Sequence, residues 1–360
     1  MKNRNRIALV TLDYPPERGG VARYLGNLVE ESKGEIDVFV NETHRAMGPG
    51  HVEAVKMFVS GWPSWWPMVK LIRDLRQKKY THVLVSHALP CGTAAMLARF
   101  SGGLPYVVLM HGLDVRLAMG SAWKRFLLTR ILKNAELVIA NSQIVSDEIS
   151  HVVPSIKPMM LTPGVESRTF PSRENVRNSF GLAPEIFQVL SVTRLVPRKG
   201  LDRLIQSIAL LPQDVHLTII GDGQDLERLR SLASNLGERV RFLTNIEDAE
   251  RDAWYAASDA FALPVRDEGN DVEGFGIVFL EAALAGLPTI AGNSGGAVEA
   301  VVDEKTGLHV DPNDIQMIAG AISRLRGDVE LRSRLGEAGK ARAARDFRWE
   351  DRWGKLRGSL

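Results

Sequence analysis

The sequence predicts an α/β protein built from two doubly wound parallel layers. Three observations carry that expectation. Apolar runs of four to six residues, rich in β-branched side chains, recur along the whole chain; they are too short for helices and apolar throughout, as strands buried on both faces are. Stretches of helical length and pattern separate them, the alternation of a parallel sheet with crossover helices. Finally, 360 residues at 45% hydrophobic and 24% charged content are ordinary globular composition, at a length suited to about two domains.

In order, the first half offers strand runs at 6–11 (Arg-Ile-Ala-Leu-Val-Thr), 36–40, 82–86, 106–110 and 136–140, with helices expected over 21–32, 68–79 and 122–133. The second half offers strands at 188–193, 216–221, 240–244, 260–263, 288–291 and 307–310, with helices over 200–211, 226–236, 250–257 and 276–285. Between them, Pro163 to Pro184 is rich in turn-formers and charge and lacks a strand run, so the hinge is expected near 165–186. Residues 1–168 and 186–345 then form the two domains, and 346–360 a closing helix. That last stretch carries bulky apolar groups at 347, 349, 353 and 356; positions 347, 353 and 356 approximate one helical face, and two Trp require a docking surface.

Composition narrows the function. A single cysteine, Cys91, excludes an intramolecular disulfide framework and a cysteine-based zinc site, and favours a reducing, cytoplasmic setting. No apolar run approaches the ~18 residues of a spanning helix. The basic start leads only to the short run Ile7 to Leu12, which breaks at Asp13 and Pro15, so it reads as a first strand rather than a secretion signal. The net charge of +2 hides an asymmetry: residues 1–172 hold 21 Lys/Arg against 14 Asp/Glu, while 173–360 hold 24 against 29. A basic front and an acidic back suggest different partners for the two halves. No nucleic-acid-binding motif accompanies the basic half.

Four stretches carry candidate chemistry. In Asp271-Val-Glu-Gly-Phe-Gly-Ile-Val-Phe-Leu-Glu281, seven residues separate Glu273 from Glu281. The glycines Gly274 and Gly276 flank Phe275 and permit a tight loop into a helix, whose free amides at Gly276, Ile277 and Val278 suit phosphate oxygens. Glu281, about one turn on, can reach hydroxyls beside that phosphate. The second stretch, Thr193-Arg-Leu-Val-Pro-Arg-Lys-Gly200, follows the first strand of the second half, at the edge where such sheets bind ligands. Arg194 and Lys199 could converge there on one diphosphate, a planar fork beside a compact charge. Third, Gly19-Gly20 links the first strand to the first helix, again with amides able to face an anion. Fourth, His111 stands at the exit of the run 106–110, where it can hydrogen-bond a sugar or phosphate. Each stretch also admits a plain reading as turn, helix start or solvated charge.

Other chemistries are unsupported. The chain has no H-E-x-x-H, C-x-x-C, G-x-S-x-G or Walker A pattern. Gly221-Asp-Gly223 begins a dinucleotide fingerprint but lacks its third glycine, and Asp271-Val-Glu273 is the nearest approach to an Asp-x-Asp cation pair. Cations and amides can neutralise a diphosphate without a metal, so no metal or cofactor is expected.

Together these segments resemble glycosyltransferase family 4, retaining enzymes of the GT-B fold. Val192-Thr-Arg-Leu-Val-Pro-Arg-Lys-Gly200, Asp271 to Ala282 and Ala291-Gly-Asn-Ser-Gly-Gly-Ala-Val-Glu299 are most similar to the bacterial GDP-mannose-dependent phosphatidylinositol mannosyltransferases. The resemblance implies two Rossmann-like domains facing across a cleft, with the last helix crossing back to the first. It implies catalytic roles for His111, Arg194, Lys199 and Glu273. Donor binding is implied for Gly19, Gly20, Arg194, Lys199, Glu273, Gly274, Phe275, Gly276, Ile277, Val278 and Glu281. Within that set Glu281 would take the ribose hydroxyls and Glu273 a sugar hydroxyl. Arg194 and Lys199 would stabilise the leaving diphosphate, Gly20 would close over it, and His111 would lie near the sugar 6-hydroxyl.

The expected reaction moves a hexose, α-mannose from GDP-mannose first, to a lipid-linked or glycan acceptor. A UDP-sugar transferase of the same fold and a nucleotide-sugar epimerase are the alternatives. Gly61-Trp-Pro-Ser-Trp-Trp-Pro67 beside Lys70, Arg73, Arg76, Lys78 and Lys79 either packs in the core or meets an anionic membrane, which would make the enzyme peripheral on the cytoplasmic face.

Overall fold

Parallel pairing organises the chain into two sheets. In the computed structural model, which describes residues 6–17, 19–44, 47–269 and 271–360, the first sheet comprises β1 (Ile7–Val10), β2 (Ile36–Asn41), β3 (His51–Val55), β4 (His82–Val85), β5 (Tyr106–Met110), β6 (Leu137–Ala140) and β7 (Met159–Met160). Their order is β3-β2-β1-β4-β5-β6-β7. The second holds β8 (Phe187–Val192), β9 (Val215–Ile220), β10 (Val240–Leu243), β11 (Ala260–Leu263), β12 (Thr289–Gly292) and β13 (Gly307–Val310), ordered β10-β9-β8-β11-β12-β13. All the pairings are parallel, with β1 flanked in register by β2 (Ile7↔Ile36) and β4 (Ile7↔His82). Each sheet reverses its winding once, between β1 and β4 and between β8 and β11. The carboxyl edge at such a switch point is where doubly wound sheets hold ligands.

The strands form where the sequence places continuous apolar runs, because helices cover both faces. On one face of the first sheet, Met68 and Ile72 of helix Trp66–Asp74, Ala94 and Ala95 of helix Thr93–Phe100, and Leu128 and Ile131 of helix Ala122–Asn134 pack into one core. On the other face, Tyr24, Leu25 and Leu28 of helix Gly20–Glu31 share a core with Trp349, Trp353 and Leu356 of helix Trp349–Arg357. Tyr24 meets Trp349 edge-on at 5.2 Å between ring centres, and Arg352 donates to Thr162 Oγ1 at 2.8 Å. Here the sequence reading needs correction. The helix begins at Trp349, so its buried face is 349, 353 and 356, while Phe347 precedes it and packs against Phe275 in the core of the second unit.

Two compact units result, Met1–Gly164 with Trp349–Leu360, and Val165–Arg348. The stretch expected as a hinge, 165–186, is instead part of the second unit. It contains helix Arg173–Ser179, whose buried Arg177 donates to the carbonyls of Ala257 (3.0 Å), Ala183 (2.9 Å) and Ile186 (2.8 Å) and pairs with Asp259 at 3.3 Å. One guanidinium satisfying three carbonyls stitches that stretch to the sheet before β8 begins.

Candidate functional site

In the second unit the site grows from the carboxyl ends of β8 and β11. After β8 the chain turns through Thr193–Val196 into a single 3₁₀ turn, Pro197–Lys199, closed by Gly200. The loop after β9 pins this turn: Leu195 donates to Asp222 O at 2.8 Å, and Asp225 donates to Leu195 O at 3.1 Å. The contact explains Gly221-Asp-Gly223. A Cβ on Gly221, whose φ is +148°, would lie 1.8 Å from the carbonyl oxygen of Thr193. These glycines admit backbone against backbone; they are not the start of a dinucleotide loop.

After β11, residues 264–276 lead into helix Ile277–Leu284. Gly276 caps it in the left-handed conformation (φ 85°, ψ 67°), where a Cβ would crowd the Phe279 ring. Phe279 N donates to the carbonyl of Gly276 at 3.0 Å, while the amides of Ile277 and Val278 have no carbonyl within the helix to bind, and the helix dipole adds positive potential there. The segment 294–296 backs this loop, with Gly296 donating to Glu273 O at 2.8 Å.

These two loops meet through charge. The Glu273 carboxylate is buried and receives Arg198 Nη1 at 2.6 Å and Lys199 Nζ. Arg198 also pairs with the exposed Asp271 at 2.8 Å, and its carbonyl accepts from Arg266 N at 2.8 Å. Burial pushes the Glu273 carboxyl up, but the Lys199 and Arg198 charges outweigh it and bring the pKa to about 2. Lys199 goes down, because burial and the neighbouring Arg198 and Arg194 outweigh the single carboxylate. Arg198 and Lys199 therefore share the buried Glu273 carboxylate, the exposed Asp271 pairs with Arg198, and Arg194 adds a third positive charge near Lys199, so cations outnumber carboxylates in these two loops.

Some assignments change in detail. Arg194 is exposed and acts on Lys199 through space rather than by contact. Arg198, to which the sequence reading gives no role, is the buried partner of Glu273. Glu281 lies on the same helix but is buried, with Tyr255 donating to Oε2 at 3.3 Å and Arg168 beside Oε1 at 3.4 Å. Arg168 also pairs with Asp252 at 3.2 Å. Neither Arg168 nor Tyr255 was visible as a site residue, since each lies far from the motif in sequence and gains its partner only through folding. Among the described residues no group of three His, Cys, Asp or Glu is placed to hold a metal ion.

The first unit gathers its polar groups at its own switch point. Thr11 after β1, Ser86 and His87 after β4, His111 after β5 and Asn141 after β6 all leave carboxyl ends of strands. Thr11 Oγ1 and Ser86 Oγ lie 2.6 Å apart, Ser86 Oγ is 2.8 Å from His87 Nδ1, and His87 Nε2 is 3.2 Å from Asp13 Oδ2. Asn141 Nδ2 donates to His111 Nδ1 at 3.3 Å, which leaves the ring proton on Nε2, an atom buried without a partner among the described residues. Burial, reinforced by His87 and opposed by Asp13, lowers the His111 pKa to about 3, so the ring is neutral at physiological pH. Gly19 and Gly20 begin helix Gly20–Glu31, and a Cβ on either would meet nothing within 4 Å. The fold itself does not require glycine at either position.

Comparison with known proteins matches the geometry to a lineage. Residues 18–168 match the model described as Glycosyltransferase Family 4, and residues 172–342 the model described as Glycosyl transferases group 1. A GDP-mannose-dependent alpha-(1-6)-phosphatidylinositol monomannoside mannosyltransferase of Mycobacterium tuberculosis is 34% identical, over 98% of this chain and 97% of its own. A D-inositol 3-phosphate glycosyltransferase of Jonesia denitrificans is 30% identical over 76% of this chain and 70% of its own. Among solved structures, Anabaena Alr3699/HepE in complex with UDP and glucose superposes with a TM-score of 0.81 at 23% identity, covering 98% of both chains, a likeness of fold. That likeness agrees with the two Rossmann-like α/β domains expected from the sequence.

Proposed function

The chain belongs to glycosyltransferase family 4, and from that premise we propose that it moves mannose from GDP-mannose, with retention of anomeric configuration, to a lipid acceptor of the phosphatidylinositol mannoside type. That it is a glycosyltransferase follows from the family. The donor and acceptor are our reading, supported by the mycobacterial relatives named for both.

One observation carries the chemistry: the surplus of positive charge at Arg194, Arg198 and Lys199 beside the first-turn amides of helix Ile277–Leu284. Breaking the anomeric C–O bond transfers an electron pair to the leaving diphosphate and leaves positive character on the sugar ring. Cations and amides already in place at the departing oxygens favour that charge distribution over the ground state. The leaving phosphate oxygen then accepts the proton of the acceptor hydroxyl as the new C–O bond forms on the same face, so no protein nucleophile takes part. Glu273 holds Arg198 and Lys199 in position and is assigned a sugar hydroxyl. Glu281, steadied by Arg168 and Tyr255, is assigned the ribose hydroxyls. From the first unit, the free Nε2–H of His111 is a donor suited to a sugar hydroxyl, and the Gly19-Gly20 turn is assigned to the diphosphate. With a lipid acceptor the enzyme works as a peripheral protein at a cytoplasmic membrane surface; among the described residues no helix is long and apolar enough to cross a membrane.

A thermal-shift panel of GDP, UDP and ADP with their sugars tests the donor, since a ligand bound only by the folded state raises apparent stability. GDP and GDP-mannose should give the largest shifts, followed by transfer of mannose to a phosphatidylinositol mannoside with the α configuration kept. Preferential stabilisation by UDP would move the protein to the UDP-sugar alternative.

A further inference from the structure

Strand register places His111 and Asn141 side by side. The last residues paired between β5 and β6 are Met110 and Ala140, so the next residue of each strand leaves the carboxyl edge of the sheet beside the other. Asn141 Nδ2 reaches His111 Nδ1 at 3.3 Å, and Asn141 N donates to Met110 O at 3.3 Å. An asparagine just before a helix is well suited to cap it, but here Ser142 takes that task. Its hydroxyl accepts from Val145 N at 3.3 Å at the start of helix Gln143–Val152. Asn141 is thus released from capping and, at 7% exposed, lies buried against an imidazole.

Two atoms of this pair, His111 Nε2 and Asn141 Oδ1, are buried without a hydrogen-bond partner among the described residues. The neighbouring polar groups are committed elsewhere. Tyr24 meets the His111 ring edge-on at 5.5 Å between ring centres, yet its hydroxyl donates to Leu161 O at 2.8 Å. His87, close enough to act on His111 through its charge, has Nδ1 at 2.8 Å from Ser86 Oγ and Nε2 at 3.2 Å from Asp13 Oδ2. Most buried polar side-chain atoms are paired, so two orphans on adjoining side chains mark a place for a ligand group. Their chemistry selects the group: the ring N–H donates and the amide oxygen accepts. Turning the amide over moves the ring proton to Nδ1 and exchanges the roles, and one donor and one acceptor still remain. A hydroxyl satisfies both, since it accepts and donates. A phosphate oxygen only accepts and would leave one atom of the pair unmatched. The ring, its pKa lowered to about 3 chiefly by burial, also has no charge with which to attract an anion.

We propose that Asn141 is a specificity-determining residue of the transfer reaction, reading a substrate hydroxyl jointly with His111. That hydroxyl belongs to the transferred sugar or to the acceptor polyol, which offer the same chemistry. The proposal rests on the transferase reading above and adds a second reader beside His111. A substrate with hydrogen or an anionic group in place of the hydroxyl leaves buried polar atoms unmatched and is rejected.

The test measures kcat/KM for wild type, Asn141→Leu and Asn141→Ser with each monodeoxy analogue of GDP-mannose. It is repeated with analogues of the acceptor's inositol ring deoxygenated away from the attacking hydroxyl. Wild type should use one analogue roughly 10²-fold less efficiently than the parent substrate. Both variants should lose efficiency with the parent and discriminate against that analogue by only a few-fold. Leucine keeps the size of the side chain and serine keeps a hydroxyl, and the melting temperature and GDP-induced shift of each establish that it is folded. A purely structural role for Asn141 would lower parent and analogue alike and leave their ratio at the wild-type value. A sensitive donor analogue assigns the hydroxyl to the transferred sugar, and a sensitive acceptor analogue assigns it to the polyol. Wild type that tolerates every analogue, or variants that keep the wild-type ratio, overturn the proposal. Failure of wild type to turn over GDP-mannose would overturn the donor reading instead, and the same ratios on the sugar nucleotide it does use would decide the role of Asn141.

Discussion

Replacing Glu273 with glutamine tests the charge arrangement most directly. The carboxylate is buried between Arg198 Nη1 and Lys199 Nζ, and its pKa falls from 4.5 to about 2 against a burial effect of opposite sign. At ~1.36 kcal/mol per pKa unit, that difference corresponds to roughly 3 kcal/mol of stability at neutral pH. Breaking a buried pair by removing one partner costs about 3–5 kcal/mol, so the two routes agree. Because the folded-state pKa is depressed, the contribution is complete above pH 4.5 and disappears as pH falls towards 2. The gap between wild type and Glu273→Gln should therefore be widest near pH 7 and narrow steadily below pH 4.5. Hydrogen exchange of peptides from 187–300 across a denaturant series reads the second unit by itself. GDP should restore a larger share of the variant's lost stability than it adds to wild type, since its phosphates bring negative charge to the cations the mutation leaves unpaired. A variant as stable as wild type at pH 7, with an equal nucleotide shift, would refute the claim that Arg198 and Lys199 are held by this carboxylate.

Three further outcomes follow from the same coordinates. Lys199→Ala should lower turnover ~10²-fold or more, about 2.7 kcal/mol of transition-state stabilisation, and a steady-state assay with near-normal kcat would remove Lys199 from the leaving group. Gly20→Ala should leave the melting temperature unchanged, because its Cβ meets nothing within 4 Å, yet weaken donor binding; an unaffected donor KM would free the Gly19-Gly20 turn of its assigned role. For His111, depressed from 6.5 to about 3, the unfolded chain binds the proton first as pH falls. Wild type should then lose about 1.4 kcal/mol per pH unit below 6.5 relative to His111→Gln, and parallel acid limbs in urea titrations would show that the ring is not held neutral.

Most of the fold was legible because inner strands of a parallel sheet are buried on both faces and must be apolar end to end. β1, β5, β8 and β11 lie where such runs occur. β3 was missed for the converse reason: His51–Val55 is an edge strand with no fully buried residue, and carries His and Glu where an inner strand carries Val or Ile. Helix Thr93–Phe100 was missed because it is nearly all small or apolar and most of it is buried, so it lacks the polar face that marks a helix at the surface. The hinge was misplaced because composition alone cannot distinguish a flexible linker from a stretch tied down by one buried arginine, and Arg177 finds its carbonyls only once β8 and β11 are adjacent.

The candidate site was legible as a set of segments and less so as contacts. Gly274 and Gly276 announced a loop into a helix, and the backbone at Gly276 takes the left-handed form that only glycine adopts readily. Choosing Arg194 over Arg198 is instructive, because both lie in one short loop and their chemistry is identical. Separation in sequence favoured neither. What distinguishes them is the 3₁₀ turn Pro197–Lys199, which directs Arg198 and Lys199 inward together while Arg194 remains on the approach to it. The turn exists because Pro197 opens it and Gly200 closes it in the left-handed region, so the signal was present in Pro-Arg-Lys-Gly itself. Two cations between a proline and a glycine, directly after a buried strand, are held by the backbone rather than left to solvent. By that reasoning the Glu273 carboxylate holds the buried arginine and lysine together against their mutual repulsion, and the exposed Arg194 is placed to meet an arriving anion first.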